Sequence, residues 1–237
     1  MRFWNVDFLR GIAVIGMIAY NWAFALDYFG YSIPLIHTSF GWLFSRTVAF
    51  AFVFIAGISY TLIRGDAQAR HAKRLDHGKK ILFFAFLITI ITFLFDAKYT
   101  VWFGVLHLIG FSLIMLGEFE NRFANAGRFL IPMSAISILV GIWMQTIITY
   151  SPYLLMFGIF PVDMATFDYL PIFPWFGYFL IGAYVGEKIF NKRKPGEYVG
   201  FGKFTVDKAA YLGRHSLGIY LLHQPVLILA LKLIGAI

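Results

Sequence analysis

Long apolar runs alternate with short polar segments along nearly the whole chain. Seven such runs lie near residues 8–29, 40–63, 81–95, 100–117, 128–149, 170–190 and 215–237. A helix needs about 20 apolar residues to cross a hydrocarbon core of roughly 30 Å. The pattern therefore predicts an all-α, polytopic membrane bundle of about seven transmembrane helices, the third of them short.

Composition supports a membrane protein, because 60% of the residues are hydrophobic, 20% aromatic and only 14% charged. The first run differs from a cleaved signal peptide: it begins with DFLRG, contains Asn21 and lacks a small-x-small cleavage site. No repeat is evident, and no connecting loop is long enough to form an independent soluble domain. We expect one transmembrane domain over residues 1–237.

The basic residues are unevenly distributed between the loops. Three of the 20 Lys and Arg residues are exceptions, Arg46, Lys98 and Lys232, and the other 17 lie on the N-terminal side of the first helix or in the even-numbered loops. The positive-inside rule then predicts a cytoplasmic N-terminus and an outer C-terminus. Solvated cytoplasmic loops also explain the net charge of +8 without nucleic acid. The absence of cysteine excludes disulfides and thiol chemistry.

Polar residues at membrane depth are costly unless they face a bundle interior or a cavity. In the last run, His223, Gln224 and Pro225 replace residues that a lipid-facing helix would leave apolar. The other candidates are Asp7, Arg10, Asn21, Arg46, His107, Arg214 and His215. Each could simply join helices or anchor a helix end, but together they indicate a polar path across the bilayer.

His37 extends this set to the loop after the first helix, in IPLIHTSFGW. An imidazole there can act as a base or a nucleophile. Asp7 and Arg10 are three residues apart, so they share a helical face and could pair.

Five phrases, in order along the chain, carry a family resemblance: VDFLRGIAVIGMIAYN, FVFIAGIS, FGVLHLIG, YLPIFPWFGYFLIG and LGRHSLGIYLLHQPVL. Together they resemble the heparan-alpha-glucosaminide N-acetyltransferase catalytic-domain family of membrane acyltransferases. The resemblance implies that an acetyl group passes from cytosolic acetyl-CoA to an amine, or a hydroxyl, of a sugar-type acceptor at the outer side. Acetyl-CoA would be a co-substrate, and no metal is expected.

The same resemblance places the catalytic residues at His37 and Asn21. His37 would be the base, or the acetylated nucleophile of a two-step route, and Asn21 would donate to the thioester carbonyl oxygen. Coenzyme A would be bound by the remaining members of the polar path: Asp7, Arg10, Arg46, His107, Arg214, His215, His223 and Gln224. The basic residues suit its phosphates, and the polar groups of the last helix suit its pantetheine arm.

The alternative is a transporter or flippase for a small solute or a lipid-linked sugar, since proline-broken helices also build transport sites. No internal repeat supports that alternative. A non-catalytic helix scaffold, which would bind no ligand, is the second rival. The expected partners are the lipid bilayer, acyl-CoA and the acceptor, a homodimer is compatible with the sequence, and the expected location is the prokaryotic cell membrane.

Overall fold

A computed structural model describes residues 3–123, 125–190, 196, 198, 200 and 202–235. These residues form eight α-helices and no β-strand: α1 (Trp4–Tyr28), α2 (Ser39–Thr61), α3 (Ala67–Phe95), α4 (Val105–Arg122), α5 (Leu130–Met144), α6 (Ile172–Val185), α7 (Lys203–Arg214) and α8 (Ser216–Leu233). Short 3-10 turns link several of them, and a π-helical turn, Gly186–Phe190, follows α6. The all-α prediction is confirmed for the described chain. Parts of the basic segment before α7, at 191–195, 197, 199 and 201, and Ile237 lie outside it.

Every predicted apolar run contains a helix, but the helices differ in their ability to span a bilayer. Within the described part of the chain, five helical stretches are long and apolar enough to cross one: Trp4–Tyr28, Ser39–Thr61, Ala67–Phe95, Ala126–Met144 and Ser216–Leu233. α4, with 18 residues, and α6, with 14, do not meet the same requirement. The protein is an integral membrane protein, and the count of seven spans stays a prediction.

The third helix, α3, is much longer than the apolar run at 81–95 that predicted it. α3 begins at Ala67 rather than near 81, because the side chain of Asp66 caps it by accepting a hydrogen bond from the backbone N–H of Ala69 at 2.7 Å. Its first half is polar but consists mostly of strong helix formers such as Ala, Gln, Arg and Lys. An apolar-window prediction misses such a polar extension. A further helix, α7, lies between the last two apolar runs.

The chain folds as two compact units, residues 1–55 with 194–237 and residues 56–193. In the first unit, α7 packs closely against α1. A Cβ atom added to Gly11 would meet the backbone of Ala209, and one added to Gly213 would meet the carbonyl oxygen of Asp7. Glycine is needed at both places because the two backbones approach too closely for a side chain.

In the second unit, an ion pair joins three helical segments. Arg74 of α3 is only 8% exposed and pairs with Glu120 of α4. Its guanidinium also lies 3.8 Å from the ring centre of Tyr60, near the end of α2. The arginine is therefore held by a carboxylate and an aromatic face together. Close glycine contacts, such as Gly78 of α3 against the Gly110 carbonyl of α4, bring the helices near enough for this pairing.

Candidate functional site

The end of α1 and the turn after it bring a carboxylate and an imidazole together. Asp27 Oδ2 lies 3.0 Å from His37 Nε2. The other oxygen, Oδ1, accepts a hydrogen bond from the backbone N–H of Ile33 at 3.1 Å. Both carboxylate oxygens therefore have a partner, and one of them orients the histidine.

Local backbone geometry explains how residues ten positions apart meet. α1 ends at Tyr28, and Gly30 adopts φ +93, a left-handed conformation that favours glycine. The chain then folds back into the 3-10 turn Pro34–His37, whose first residue has the fixed φ of proline. Thr38 ends this turn and donates its hydroxyl hydrogen to the carbonyl oxygen of Leu35 at 2.6 Å.

The pairing defines the chemistry that His37 can perform. A carboxylate can only accept a hydrogen bond, so Nε2 carries the hydrogen and Nδ1 keeps its lone pair. The side chain of His37 is 67% exposed while that of Asp27 is 24% exposed, so the imidazole can be reached from outside the protein. An accessible imidazole fixed by a carboxylate is the arrangement of a general base. Asp27 was not among the residues predicted from the sequence, although it lies in the last turn of α1, ten residues before His37.

Asn21 lies on α1 and makes contacts that hold helices together. Its side-chain amide donates to the carbonyl oxygen of Met17 at 3.0 Å, one turn back. Its own backbone oxygen accepts a hydrogen bond from the Gln224 side chain at 3.2 Å. In the described part of the chain, no hydrogen bond joins Asn21 to His37, so the two predicted catalytic residues are not in direct contact.

The polar residues of α8 form hydrogen bonds with α1 beside Asn21. Trp22 Nε1 donates to the backbone oxygen of His223 at 3.2 Å, next to the contact between Gln224 and Asn21. His223 is buried, and its Nδ1 lies 2.7 Å from the Tyr220 oxygen. Its Nε2 is buried and has no hydrogen-bond partner among the described residues. Pro225 follows without ending the helix, since α8 continues to Leu233.

Four of the predicted charged residues lie in the two helices α1 and α7 or directly after α7: Asp7, Arg10, Arg214 and His215. Arg10 Nη1 lies 3.4 Å from Asp7 Oδ1, which confirms the predicted pair. Arg214 and His215 directly follow Gly213, the residue that contacts the Asp7 backbone, so the fold brings these two basic residues to the same contact between α7 and α1.

The contacts described for His215 and Arg46 are with residues one helical turn earlier in the chain. His215 Nδ1 lies 2.9 Å from the carbonyl oxygen of Tyr211, one turn back. Arg46 lies on α2 with its guanidinium 5.9 Å from the Trp42 ring centre. Neither contact tests the predicted role in binding coenzyme A.

His107 belongs to the second unit, in the first turn of α4, where both ring nitrogens have partners. Nδ1 accepts a hydrogen bond from the Gly104 N–H at 3.3 Å, and Nε2 lies 3.2 Å from Thr89 Oγ1. Thr89 donates its own hydrogen to the Val101 oxygen at 2.6 Å, so Nε2 carries the ring hydrogen. Asp168, another residue without a predicted role, caps the same helix by accepting from the Val105 N–H at 2.8 Å.

Among the residues that the structure describes, no group of three or more His, Asp or Glu side chains could hold a metal ion. The candidate site is the pair formed by Asp27 and His37, with polar residues of α1, α7 and α8 in the same unit.

Comparison with known families matches residues 2–225 to the model described as heparan-alpha-glucosaminide N-acetyltransferase, catalytic. The match covers nearly the whole chain of 237 residues, and the chain belongs to this family. No curated protein and no solved structure matches it.

Proposed function

We propose that this member of the heparan-alpha-glucosaminide N-acetyltransferase family transfers an acetyl group across a membrane. The donor is cytosolic acetyl-CoA, and the acceptor is an amine, or less readily a hydroxyl, of a sugar-type molecule at the outer side. Family membership supports a membrane transferase of the acetyltransferase type. The single observation that carries the proposal is the accessible His37 imidazole, fixed by the Asp27 carboxylate at 3.0 Å.

The reaction uses His37 as the base. The acceptor amine attacks the thioester carbonyl carbon while His37 Nδ1 takes a proton from the amine. Asp27 stabilises the resulting imidazolium through Nε2. The tetrahedral intermediate then expels the coenzyme A thiolate, which receives the proton from Nδ1, leaving an acetamide and a free thiol.

Asn21 is proposed as a donor to the developing oxyanion. One N–H of its amide is bonded to the Met17 oxygen, and an amide carries a second N–H that can point elsewhere. The alternative two-step route, in which His37 itself is acetylated, uses the same residues.

Coenzyme A is proposed to enter from the cytoplasmic side near the contact between α1 and α7. Arg10, Arg214 and His215 lie there and suit its phosphates through charge-assisted hydrogen bonds. The other residues of the first unit proposed to contact it are Asp7, Arg46, His223 and Gln224, while the predicted role of His107, which belongs to the second unit, stays a prediction. The unpartnered Nε2 of His223 is a buried polar atom that a pantetheine amide could satisfy.

A transporter or flippase is not favoured. The sequence shows no inverted or parallel repeat of the kind on which many carriers are built, and the family is one of transferases.

The test is acetyl transfer by the purified protein in proteoliposomes, with labelled acetyl-CoA and glucosamine on opposite sides. We expect His37→Ala to lower the rate by about 10²-fold or more, the contribution of a general base, while acetyl-CoA binding persists. His77→Ala, an exposed histidine of α3, is the matched control and should retain the rate. Full transfer by the His37→Ala variant would remove the basis of the proposal.

A further inference from the structure

The second unit contains an open cavity that the acetyl-transfer proposal does not use. It lies between the loop joining α3 to α4 and the loop joining α5 to α6, with a volume of about 320 Å³. This volume is at the small end of the range for ligand pockets. The topology proposed above places both loops at the outer side of the membrane.

The walls of the cavity are held in place by hydrogen bonds between and within the two loops. Backbone N–H groups of the second loop donate to carbonyl oxygens of the first, and one further bond closes the second loop on itself. These bonds are Phe167 to Tyr99 at 3.0 Å, Leu170 to Phe103 at 3.1 Å and Val162 to Thr149 at 3.0 Å. Pro161, which is fully buried, is part of the lining. The cavity is thus framed by bonded backbone rather than by side chains alone.

Two aromatic rings and two opposite charges line this space. Trp102 is 47% exposed and Tyr150 is 74% exposed, so both rings are available to a ligand. Lys98 and Asp163 supply an ammonium group and a carboxylate, whose charges balance. Aromatic residues are common at membrane interfaces, but an interfacial belt does not explain their convergence with both charges around one cavity.

We propose that this cavity binds a pyranose ring of a saccharide. An exposed aromatic ring offers a flat apolar face with negative electrostatic potential, which suits the C–H face of a sugar. The Asp163 carboxylate can accept hydrogen bonds from two hydroxyls, and the Lys98 ammonium can donate to ring or hydroxyl oxygens. Because the charges of Lys98 and Asp163 balance, the lining has no net positive charge to favour a phosphorylated ligand, so an uncharged sugar fits better than a nucleotide. The outward orientation of the cavity rests on the proposed function.

The test is titration of the full-length protein in detergent with glucose disaccharides, N-acetylglucosamine and glucosamine, observed by saturation-transfer NMR and calorimetry. We expect saturable binding that weakens at least tenfold in Tyr150→Ala and in Asp163→Asn. Tyr150 is mostly exposed, so its truncation should leave the fold intact. Trp102→Ala should have a larger effect, and Trp102→Phe retains a ring in case the alanine variant does not fold.

Tyr153→Ala provides the matched control. Tyr153 is 88% exposed, lies in the same loop as Tyr150 and does not line the cavity. The Tyr153→Ala variant should bind saccharides as tightly as the parent protein does. The proposal is overturned if no saccharide binds, if binding is indifferent to Tyr150 and Asp163, or if only glycerophosphoethanolamine, a soluble lipid headgroup, binds. Because binding is measured without acetyl-CoA, saccharide binding without acetyl transfer would disprove the proposed function alone, and transfer without this binding would disprove the cavity proposal alone.

Discussion

Asp27 and His37 form a carboxylate–imidazole pair with 3.0 Å between Oδ2 and Nε2, although the two residues lie on opposite sides of a turn. The carboxylate is itself fixed by the Ile33 N–H, so the histidine is oriented by an atom whose position is already set by the backbone. This relationship gives Asp27 a positioning role that can be tested apart from the role of His37.

We expect Asp27→Asn to reduce acetyl transfer by about 10²-fold or more, because an amide can present its N–H to the ring, favour the wrong tautomer and no longer stabilise the imidazolium. Transfer rates and acetyl-CoA affinity in proteoliposomes check this, and the affinity should stay unchanged. Asp76→Asn, in an exposed pair with Lys80, is the control and should keep the parent rate. An unaltered rate in Asp27→Asn would show that the pair does not serve the reaction.

The topology prediction can be checked by single-cysteine labelling, since the chain contains no cysteine. Ser32→Cys, in the segment before His37, should react with a membrane-impermeant maleimide in intact cells. Gln68→Cys, exposed at the start of α3, should react only after permeabilisation. The reverse pattern would place His37 in the cytoplasm and contradict the proposed direction of transfer.

Removing charge at the contact between α1 and α7 should weaken acyl-CoA binding. Arg10→Ala combined with Arg214→Ala should raise the dissociation constant at least about tenfold, since a hydrogen bond to a charged group contributes roughly 1.5–3 kcal/mol. Calorimetric titration with acetyl-CoA measures this dissociation constant. The control is the double variant of Lys79→Ala with Lys80→Ala, which removes the same charge elsewhere. If both double variants bind alike, the phosphate assignment is wrong.

The glycine contact between α7 and α1 should be intolerant of a methyl group. Gly213→Ala would direct its Cβ into the carbonyl oxygen of Asp7 and should lower stability by about 1–3 kcal/mol, the usual cost of overpacking. Gly218→Ala, in α8, meets nothing within 4 Å and should leave the Tm unchanged or slightly higher. Thermal unfolding in detergent compares the two, and equal Tm values would argue against the close packing.

The Arg74–Glu120 pair should stabilise the second unit only while both partners are present. Arg74→Met would leave Glu120 without its cation and should cost roughly 3 kcal/mol, at the low end for a buried pair because the Glu120 side chain is 27% exposed. Adding Glu120→Leu should recover much of that loss. The exposed Lys80–Asp76 pair is the comparison, where Lys80→Gln should cost less than about 1 kcal/mol. Thermal unfolding measures these three variants and Glu120→Leu alone, and additive losses in the double variant would contradict the pairing.

The sequence by itself determined the helical class and the position of each apolar helix, because a helix that crosses a bilayer must satisfy its backbone internally and be apolar over most of its length. It also predicted the pair between Asp7 and Arg10, since residues three apart share a helical face whatever the rest of the fold does. The catalytic role of His37 stays a prediction. The sequence pattern missed the polar first half of α3, because that half is set by helix propensity and the Asp66 cap rather than by hydrophobicity.

Only the tertiary structure decided which polar groups meet. The pair of Asp27 with His37 depends on the path of the chain through Gly30 and Pro34, and spacing along the sequence does not specify that path. In the same way, Asn21 and Gln224 meet across two helices distant in sequence, and His107 finds its partner in Thr89 of α3. Hydropathy reports how costly each polar group is within a membrane, whereas the partner that offsets this cost is chosen by helix packing in three dimensions.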